Sequence, residues 1–437
     1  MELGFETIGN ATLICHDRGP LLVTDPWTHG SAYFGSWTLQ HQIPPAQLAD
    51  IQACRYVWLS HGHPDHLSLE SLEHLRSAEI LLPDHYGERV HRELRAAGFR
   101  TWVLKDGLWL SLSPRLRIMS LANIFQDAVL LVDLDGRALV VNANDAGDRG
   151  AGFLLKELAP RFKRSFLLAL VSHGDADMIQ MLDEQGQLLP PYEERYDLRP
   201  AILSMLDGYG LSSYVPFATL HQYQRADSIW ANRYVVRPAD FRPRSAGERE
   251  RLLPAYLSYD ALGDAWRAIE PRPIEPQPID PRRFGDDWSE RLSPAEAEAL
   301  RAYFLRFEHL NQHVGFLEFV VGGEVQRIEL SAKLQRGIRF ETPRGSLVKC
   351  IEWQVFDDLM IGNFTRTTLL GDWPSKRTDG LYPDFNPFVT KFGDNGGART
   401  PAELCAYFAE YRRRGFTGFG DQPADRALEQ ALAPYLR

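Results

Sequence analysis

Short apolar segments separated by turn residues fill the N-terminal part of the chain. Residues 5–26 predict two strands joined by a turn, and residues 56–59 predict a further strand. Residues 138–145 form an apolar run that ends in an acid, Asp145. Ser68 is placed as the N-cap of a helix, because leucines at helical spacing follow it. This alternation of strand-like and helix-like segments predicts an α/β domain.

The pattern changes after residue 270. Residues 271–281 contain five prolines, which cannot propagate a helix and favour an extended connection. Further on, Ser293 and Thr400 each begin a capping box, and residues 316–330 predict a β-hairpin. We therefore expect three parts, which are a domain over residues 1–265, a proline-rich linker over residues 266–284 and a smaller α+β domain over residues 285–437.

The densest group of chemically active residues follows the strand at 56–59. It reads Ser-His-Gly-His-Pro-Asp-His and contains His61, His63, Asp65 and His66. Imidazole nitrogens and carboxylate oxygens are the donors that zinc, iron and manganese accept in proteins. Since the run begins where a strand ends, the four side chains lie in a loop, where functional groups are usually found. The run predicts a site for one or two metal ions.

This run matches the His-x-His-x-Asp-His signature of the metallo-β-lactamase superfamily. The resemblance implies an αββα sandwich with the metals at one edge. It also implies that His61 and His63 hold one ion, that Asp65 and His66 hold the second, and that Asp145 bridges the two. Together with the C-terminal pattern, it predicts an α/β sandwich of this kind followed by a smaller α+β unit.

A narrower resemblance is to the CMP-N-acetylneuraminate hydroxylase family. It rests on residues 25–37, on Leu67-Ser68 after the histidine run, on residues 214–218 and, more faintly, on residues 360–366. In that family iron and an electron-transfer partner support the oxygen-dependent hydroxylation of a nucleotide-activated sialic acid. Those enzymes also carry an N-terminal Rieske domain, with a Cys-x-His and Cys-x-x-His signature. The four cysteines of this chain lack that spacing, so we expect an external electron donor.

The remaining metal ligands depart from the superfamily pattern. The third histidine of the first ion is missing from residues 120–127, where Asn123 and Asp127 are the nearest oxygen donors. For the last histidine of the second ion the aligned residue is Ala218, which leaves His221 and His173 as candidates. Either could instead form hydrogen bonds in a loop. Replacing an imidazole with an oxygen donor favours iron or manganese over zinc.

Asp25, beside the histidine run in the predicted fold, is a candidate to orient a ligating histidine through a hydrogen bond. The sequence identifies no catalytic residue beyond these groups. Three functions remain open. They are an iron-dependent oxygenase, a hydrolase in which metals activate water, and an inactive metal-binding relative. Of these, the narrow resemblance favours the oxygenase, acting on a small substrate, for which a nucleotide sugar is one option.

Composition narrows the setting. Hydrophobic residues make up 44% and charged residues 24% of the 437 residues, as in ordinary globular proteins. A net charge of −10 disfavours a nucleic acid partner. No apolar run approaches the length of a membrane span, no signal peptide is evident, and four scattered cysteines fit a reducing compartment. We therefore expect a cytoplasmic protein.

Overall fold

The structure is a computed structural model, and it describes residues 1–146, 152–170, 179–189, 197–373, 381, 383–416 and 423–436. In chain order the strands are β1 (Leu3–Ile8), β2 (Thr12–Asp17), β3 (Pro20–Thr24), β4 (Trp37–Leu39), β5 (Tyr56–Trp58), β6 (Glu79–Leu82), β7 (Thr101–Val103), β8 (Leu110–Ser111), β9 (Leu116–Ala122), β10 (Ala128–Leu134), β11 (Ala138–Asn144), β12 (Arg164–Ala169), β13 (Met181–Leu182), β14 (Ser213–Pro216), β15 (His221–Tyr223), β16 (Leu257–Asp260), β17 (Ala265–Ala268), β18 (Phe316–Val321), β19 (Glu324–Glu329), β20 (Gly337–Glu341) and β21 (Arg366–Leu370).

The α-helices are α1 (Pro45–Ala53), α2 (Leu69–Leu72), α3 (Arg89–Ala96), α4 (Gly152–Leu158), α5 (Arg199–Tyr209), α6 (Pro294–Leu305), α7 (Arg344–Trp353), α8 (Phe356–Ile361), α9 (Pro401–Arg413) and α10 (Pro423–Leu432). Shorter 3₁₀ helices cover Glu73–Leu75, Ala159–Arg161, Ile229–Arg233, Pro238–Phe241, Pro281–Phe284 and Glu308–Gln312, and a π-helix spans Pro387–Asn395. None of the helices in the described residues combines the length and the apolar character needed to cross a bilayer.

Two large sheets face each other at the centre of the N-terminal part. The first has the order β17-β16-β1-β2-β3-β5-β6-β7, and the second has the order β14-β12-β11-β10-β9-β8. Apolar side chains from both sheets, including Leu13, Trp58, Leu130 and Val140, fill the space between them and are fully buried. Removing these side chains from water is the main force that holds the two sheets together.

Helices cover the outer face of each sheet. Ile51 of α1, Leu72 of α2 and Leu94 of α3 belong to the apolar layer on the first sheet. On the second sheet, Leu155 of α4 and Ile202 of α5 belong to the corresponding layer. The predicted αββα sandwich is therefore confirmed.

The C-terminal part is an α+β unit, as predicted. Its sheet has the order β13-β21-β20-β18-β19, and β18 and β19 form the predicted hairpin. Its core consists mainly of aromatic and aliphatic side chains from α6 to α10 and from this sheet. One strand of the sheet, β13, comes from before the proline-rich segment, so the two parts share a sheet.

The proline-rich segment lies along the N-terminal part. The backbone N–H of Ile274 donates to the carbonyl of Gln40, and that of Ile279 donates to the carbonyl of Gln224. The residues predicted as linker begin inside a strand, because β17 pairs with β16 at the edge of the first sheet. The division of the chain into two domains and a linker stays a prediction.

A buried ion pair connects the two parts. The guanidinium of Arg225 is fully buried and donates to the carboxylates of Asp227 at 2.8 Å and Asp286 at 2.7 Å. It also lies 3.9 Å from the ring centre of Phe364. Asp286 is equally buried and accepts a hydrogen bond from the backbone N–H of Ser346. The carboxylate of Asp286 keeps this buried cation only while the two parts stay packed together.

We expect Arg225→Ala to lower the free energy of unfolding by roughly 3–5 kcal/mol, because it leaves the carboxylate of Asp286 buried without its cation. The matched control is Arg251→Ala, which removes an arginine from a largely exposed ion pair with Asp207 and should cost at most about 1 kcal/mol. Urea denaturation of both variants measures the difference. Equal losses in the two variants would contradict the prediction.

Candidate metal centre

The candidate site lies at one edge of the sandwich, where strands of both sheets end. Parallel pairing of β3 with β5 places Asp25 beside Ser60, and the histidine run begins at the next residue. Asp145 follows β11 of the second sheet. The side chains of the site are therefore positioned by strand ends that the apolar core holds in register.

The five predicted metal ligands lie close together. The Nε2 atom of His61 lies 2.9 Å from the Nδ1 atom of His63 and 3.8 Å from the Oδ2 atom of Asp145. The Nε2 atom of His66 lies 3.4 Å from Oδ2 of Asp65 and 3.4 Å from Oδ2 of Asp145. One oxygen of Asp145 thus faces both pairs of side chains. The contacts form two adjacent groups of donor atoms that share Asp145.

Asp25 and Ser60 fix the opposite nitrogens of two histidines. The Asp25 carboxylate is fully buried, accepts hydrogen bonds from the backbone N–H and the hydroxyl of Ser60, and lies 3.0 Å from Nδ1 of His66. Because the Ser60 hydroxyl donates to Asp25, it accepts at Nδ1 of His61, 2.9 Å away. Protons on these Nδ1 atoms leave the Nε2 lone pairs free to bind metal.

Two further side chains hold Asp65. The Tyr33 hydroxyl donates to one carboxylate oxygen at 2.6 Å, and the amide of Asn10 donates to the other at 2.8 Å. Asn10 also accepts a hydrogen bond from the backbone of Leu220. Each carboxylate oxygen keeps a second lone pair, so these bonds orient Asp65 without preventing metal binding.

The arrangement fits a metal centre. In the part of the chain that the structure describes, neither Nε2 of His66 nor Oδ1 of Asp145 has a hydrogen-bond partner, although both are buried. Buried polar atoms are normally paired. Donor atoms about 2.1 Å from an ion at tetrahedral angles are separated by about 3.4 Å, which matches the distances between these side chains. The donor set of neutral imidazoles and carboxylates suits one or two transition metal ions.

Charge and burial act strongly on these groups. Burial lowers the pKa of His61 well below its usual value, and the neighbouring His66 and His63 add to this effect. Burial also acts against a charged His66, but Asp65, Asp145 and Asp25 outweigh it and raise its pKa well above the usual value. Burial raises the pKa of Asp145, which His66 partly offsets. A bound cation would balance the negative charge of Asp25, Asp65 and Asp145 around these histidines.

The other candidate ligands have different surroundings. The side-chain oxygen of Asn123 accepts hydrogen bonds from two backbone N–H groups of its own turn, and Asp127 lies 3.5 Å from the ammonium of Lys391. The ring of His221 stacks on Trp37 at 3.4 Å. Neither Asp127 nor His221 belongs to a group of three or more closely spaced histidine, cysteine or carboxylate donors in the described residues. His173 lies outside the described residues.

The structure adds residues that the sequence analysis did not identify. Asp357, the second residue of α8, lies 3.0 Å from Nε2 of His63, and Asp358 follows it. Burial raises the pKa of Asp357, but the neighbouring His63 imidazole outweighs this effect and lowers the pKa to about 2. His85 donates to the carbonyl of Asp127 nearby. The only local signal was an acidic pair at the start of a helix, which is common in proteins that bind no metal.

A cavity of about 720 Å³ adjoins the site. Gly62 and Pro64 of the histidine run and Asp358 line one side of it. Its other lining residues include Arg92, Arg399 and the half-exposed Trp353. The cavity is large enough for a small organic molecule, and its lining is rich in polar groups.

Comparison with known proteins gives partial matches. No family model matches the chain. The chain is 29% identical over 133 residues to the cytidine monophosphate-N-acetylneuraminic acid hydroxylase of Danio rerio. This match covers 28% of this chain and 22% of that protein. The hydroxylase of Sus scrofa is 29% identical over 147 residues, covering 32% of this chain and 34% of that protein. The match thus spans only 22% to 34% of these relatives' length.

Solved structures give fainter matches. CmlA, a diiron β-hydroxylase from Streptomyces venezuelae, has a TM-score of 0.33 and 17% identity, covering 49% of this chain and 44% of that chain. Igni18, a metallo hydrolase from Ignicoccus hospitalis, has a TM-score of 0.36 and 14% identity, covering 61% of this chain and 99% of that chain. The predicted resemblance to the hydroxylases is confirmed over part of the chain.

We expect the purified protein to contain one to two metal ions per chain, held by His61, His63, Asp65, His66 and Asp145. His63→Ala and Asp145→Ala should each lose at least one equivalent, because each removes a donor atom of the closely spaced groups. His74→Ala is the control, since this histidine is exposed on the 3₁₀ turn after α2. Elemental analysis measures the number of metal ions per chain in each variant. Full metal content in both site variants would show that the assignment is wrong.

Proposed function

We propose that the protein is an iron-dependent oxygenase that hydroxylates a small molecule. The observation that carries this proposal is the first group of donor atoms, which consists of Nε2 of His61, Nδ1 of His63 and a carboxylate oxygen of Asp145. The described residues add no third imidazole to this group. Two histidines and one carboxylate with open positions are typical of non-haem iron enzymes that use oxygen.

Asp65 and His66 would hold a second ion, with Asp145 shared between the two positions. Bound iron would supply the electron and oxygen chemistry that the side chains cannot provide. The protein's own task is then to fix the donors. Asp25 and Ser60 orient two imidazoles, and Tyr33 orients Asp65. Ligands oriented by hydrogen bonds in this way would keep the same geometry when oxygen or substrate binds at the site.

The cavity beside Gly62 and Pro64 is the proposed substrate site, because it adjoins the histidine run and Asp358. Its lining mixes arginines with acids such as Glu70 and Glu93 and includes an aromatic face at Trp353. Such a lining suits a polar molecule with a flat or ring-shaped part. The similarity to hydroxylases of cytidine monophosphate-N-acetylneuraminic acid supports a nucleotide-sugar-like substrate.

The electrons that such a reaction needs would come from outside the chain. Cys15, Cys54 and Cys350 are buried and unpaired. Burial raises the pKa of the thiols of Cys15 and Cys54 far above the usual value, which makes them poor redox groups. We therefore propose a separate reductant, such as an iron–sulfur or flavin protein.

The second candidate function is a hydrolase with two metal ions. It is favoured by the position of Asp145, because the same oxygen atom, Oδ2, faces both groups of donors as a bridging ligand would. Two ions held in this way can activate water and polarise a phosphoester, ester or amide. The two functions differ in the metal they need and in the consumption of oxygen.

The decisive experiment measures metal identity in protein made in iron-rich medium and then oxygen uptake after chemical reduction. We expect bound iron and oxygen consumption at least tenfold above that of His61→Ala, because this variant loses a donor to the first ion. His74→Ala should match the unaltered protein. Full occupancy by zinc, no oxygen uptake with iron bound, and hydrolysis of nitrophenyl esters or phosphoesters would instead establish the hydrolase.

A further inference from the structure

Asp357 reaches the metal centre from the C-terminal part of the chain. It is the second residue of α8. Gln354 and Val355 separate α8 from α7. Gln354 has a positive φ of 58°, and the sharp reversal there directs the start of α8 toward the histidine run. The Asp357 side chain is 5% exposed. It contacts His63 across 294 residues of sequence.

The contact is made by the nitrogen of His63 that faces away from the other donors. Nδ1 of His63 lies 2.9 Å from Nε2 of His61, whereas Nε2 of His63 lies 3.0 Å from Oδ2 of Asp357. A carboxylate only accepts hydrogen bonds. Its position therefore favours a proton on Nε2 and a free lone pair on Nδ1, which is the atom that faces the proposed first ion.

The same arrangement occurs at the other two histidines. Asp25 lies at Nδ1 of His66, and Ser60 lies at Nδ1 of His61. In each case the nitrogen remote from the shared carboxylate of Asp145 has an oxygen partner within 3.0 Å. His63 is the one of the three whose partner comes from the C-terminal part of the chain.

We infer that Asp357 is a positioning residue of the metal centre, whose carboxylate holds His63 in the tautomer that presents Nδ1 to the first ion. Hydrogen bonds of this kind orient a ligating imidazole and raise its basicity. The C-terminal part is then required to complete the metal centre, beyond covering the sandwich. Since the role requires a metal at His61 and His63, it rests on the proposed function.

Two other roles for Asp357 make different predictions. As a direct ligand it would be essential for the first ion, and an imidazole in its place could bind the ion instead. As a simple ion-pair partner it would contribute to stability and leave metal binding unchanged. A positioning role predicts an intermediate outcome, in which the ion still binds but more weakly and the His63 tautomer is no longer fixed.

The test compares Asp357→Ala, Asp357→Glu and Asp357→His with the unaltered protein after removal of metal. Cobalt is titrated in and followed by its visible absorption, which reports affinity and geometry. We expect Asp357→Ala to bind the first ion roughly 10- to 100-fold more weakly and Asp357→Glu to recover part of the loss. Glu318→Gln is the matched control, because it alters a buried carboxylate of the same part whose partners are Arg327 and Arg339.

Nitrogen NMR of zinc-loaded protein with labelled histidine provides the second measurement. The ring of His63 should carry its proton on Nε2 in the unaltered protein and in Glu318→Gln, and should lose this preference in Asp357→Ala. A melting temperature for each variant confirms that it is folded. This measurement separates positioning from general stabilisation, which does not select a tautomer.

Unchanged cobalt affinity and an unchanged His63 tautomer in Asp357→Ala would overturn the positioning role. Complete loss of the first ion in Asp357→Ala, with recovery in Asp357→His, would overturn it in favour of direct ligation. Failure of the proposed function looks different. If His63→Ala binds cobalt as tightly as the unaltered protein, the assignment of the metal ligands is wrong. If the protein instead binds zinc and consumes no oxygen, the oxygenase proposal fails but the role of Asp357 remains.

Discussion

The candidate site depends on the buried carboxylate of Asp25. It is fully buried at the end of β3, with a positive φ of 41°. An ionised carboxylate in such a place is costly unless donors surround it. Asp25 has three, which are the backbone and hydroxyl of Ser60 and the imidazole of His66. Through the Ser60 hydroxyl it also sets the orientation of His61. One carboxylate thus fixes two of the three clustered imidazoles, and the pairing of β3 with β5 fixes the carboxylate.

Unusual backbone conformations cluster around the same point. Tyr33, Asn144 and Gln354 have positive φ values of 51°, 34° and 58°. Tyr33 contacts Asp65, Asn144 precedes Asp145, and Gln354 lies three residues before Asp357. Such conformations cost about 1–3 kcal/mol each for residues with a side chain and persist where the surrounding structure enforces them. Packing of the sandwich and the C-terminal part therefore maintains local strain at the metal centre, as expected where side-chain geometry matters more than local stability.

Much of this could be predicted from sequence because the signals are local. Short apolar segments define the strands, and strand ends place Asp25, the histidine run and Asp145 at one edge. The role of His221 could not be predicted, because its stacking on Trp37 depends on the pairing of β15 with β4. Asn123 resembles a ligand in sequence, but its oxygen caps a turn. Asp357 carries no specific local signal beyond an acidic pair at a helix start, since only the packing of α8 against the sandwich brings it to His63.

The way the two parts meet has a consequence for the metal centre. The buried pair of Arg225 with Asp286 and the contact of Asp357 with His63 both cross between them. Separating the parts would take the buried carboxylate of Asp286 away from Arg225, which keeps Asp227, and the carboxylate of Asp357 away from His63. A bound metal would strengthen His63 as a donor in the contact with Asp357, and a fixed Asp357 would strengthen the metal site in return. Metal binding and packing of the C-terminal part are therefore expected to stabilise each other, by the reciprocity that any two linked equilibria obey.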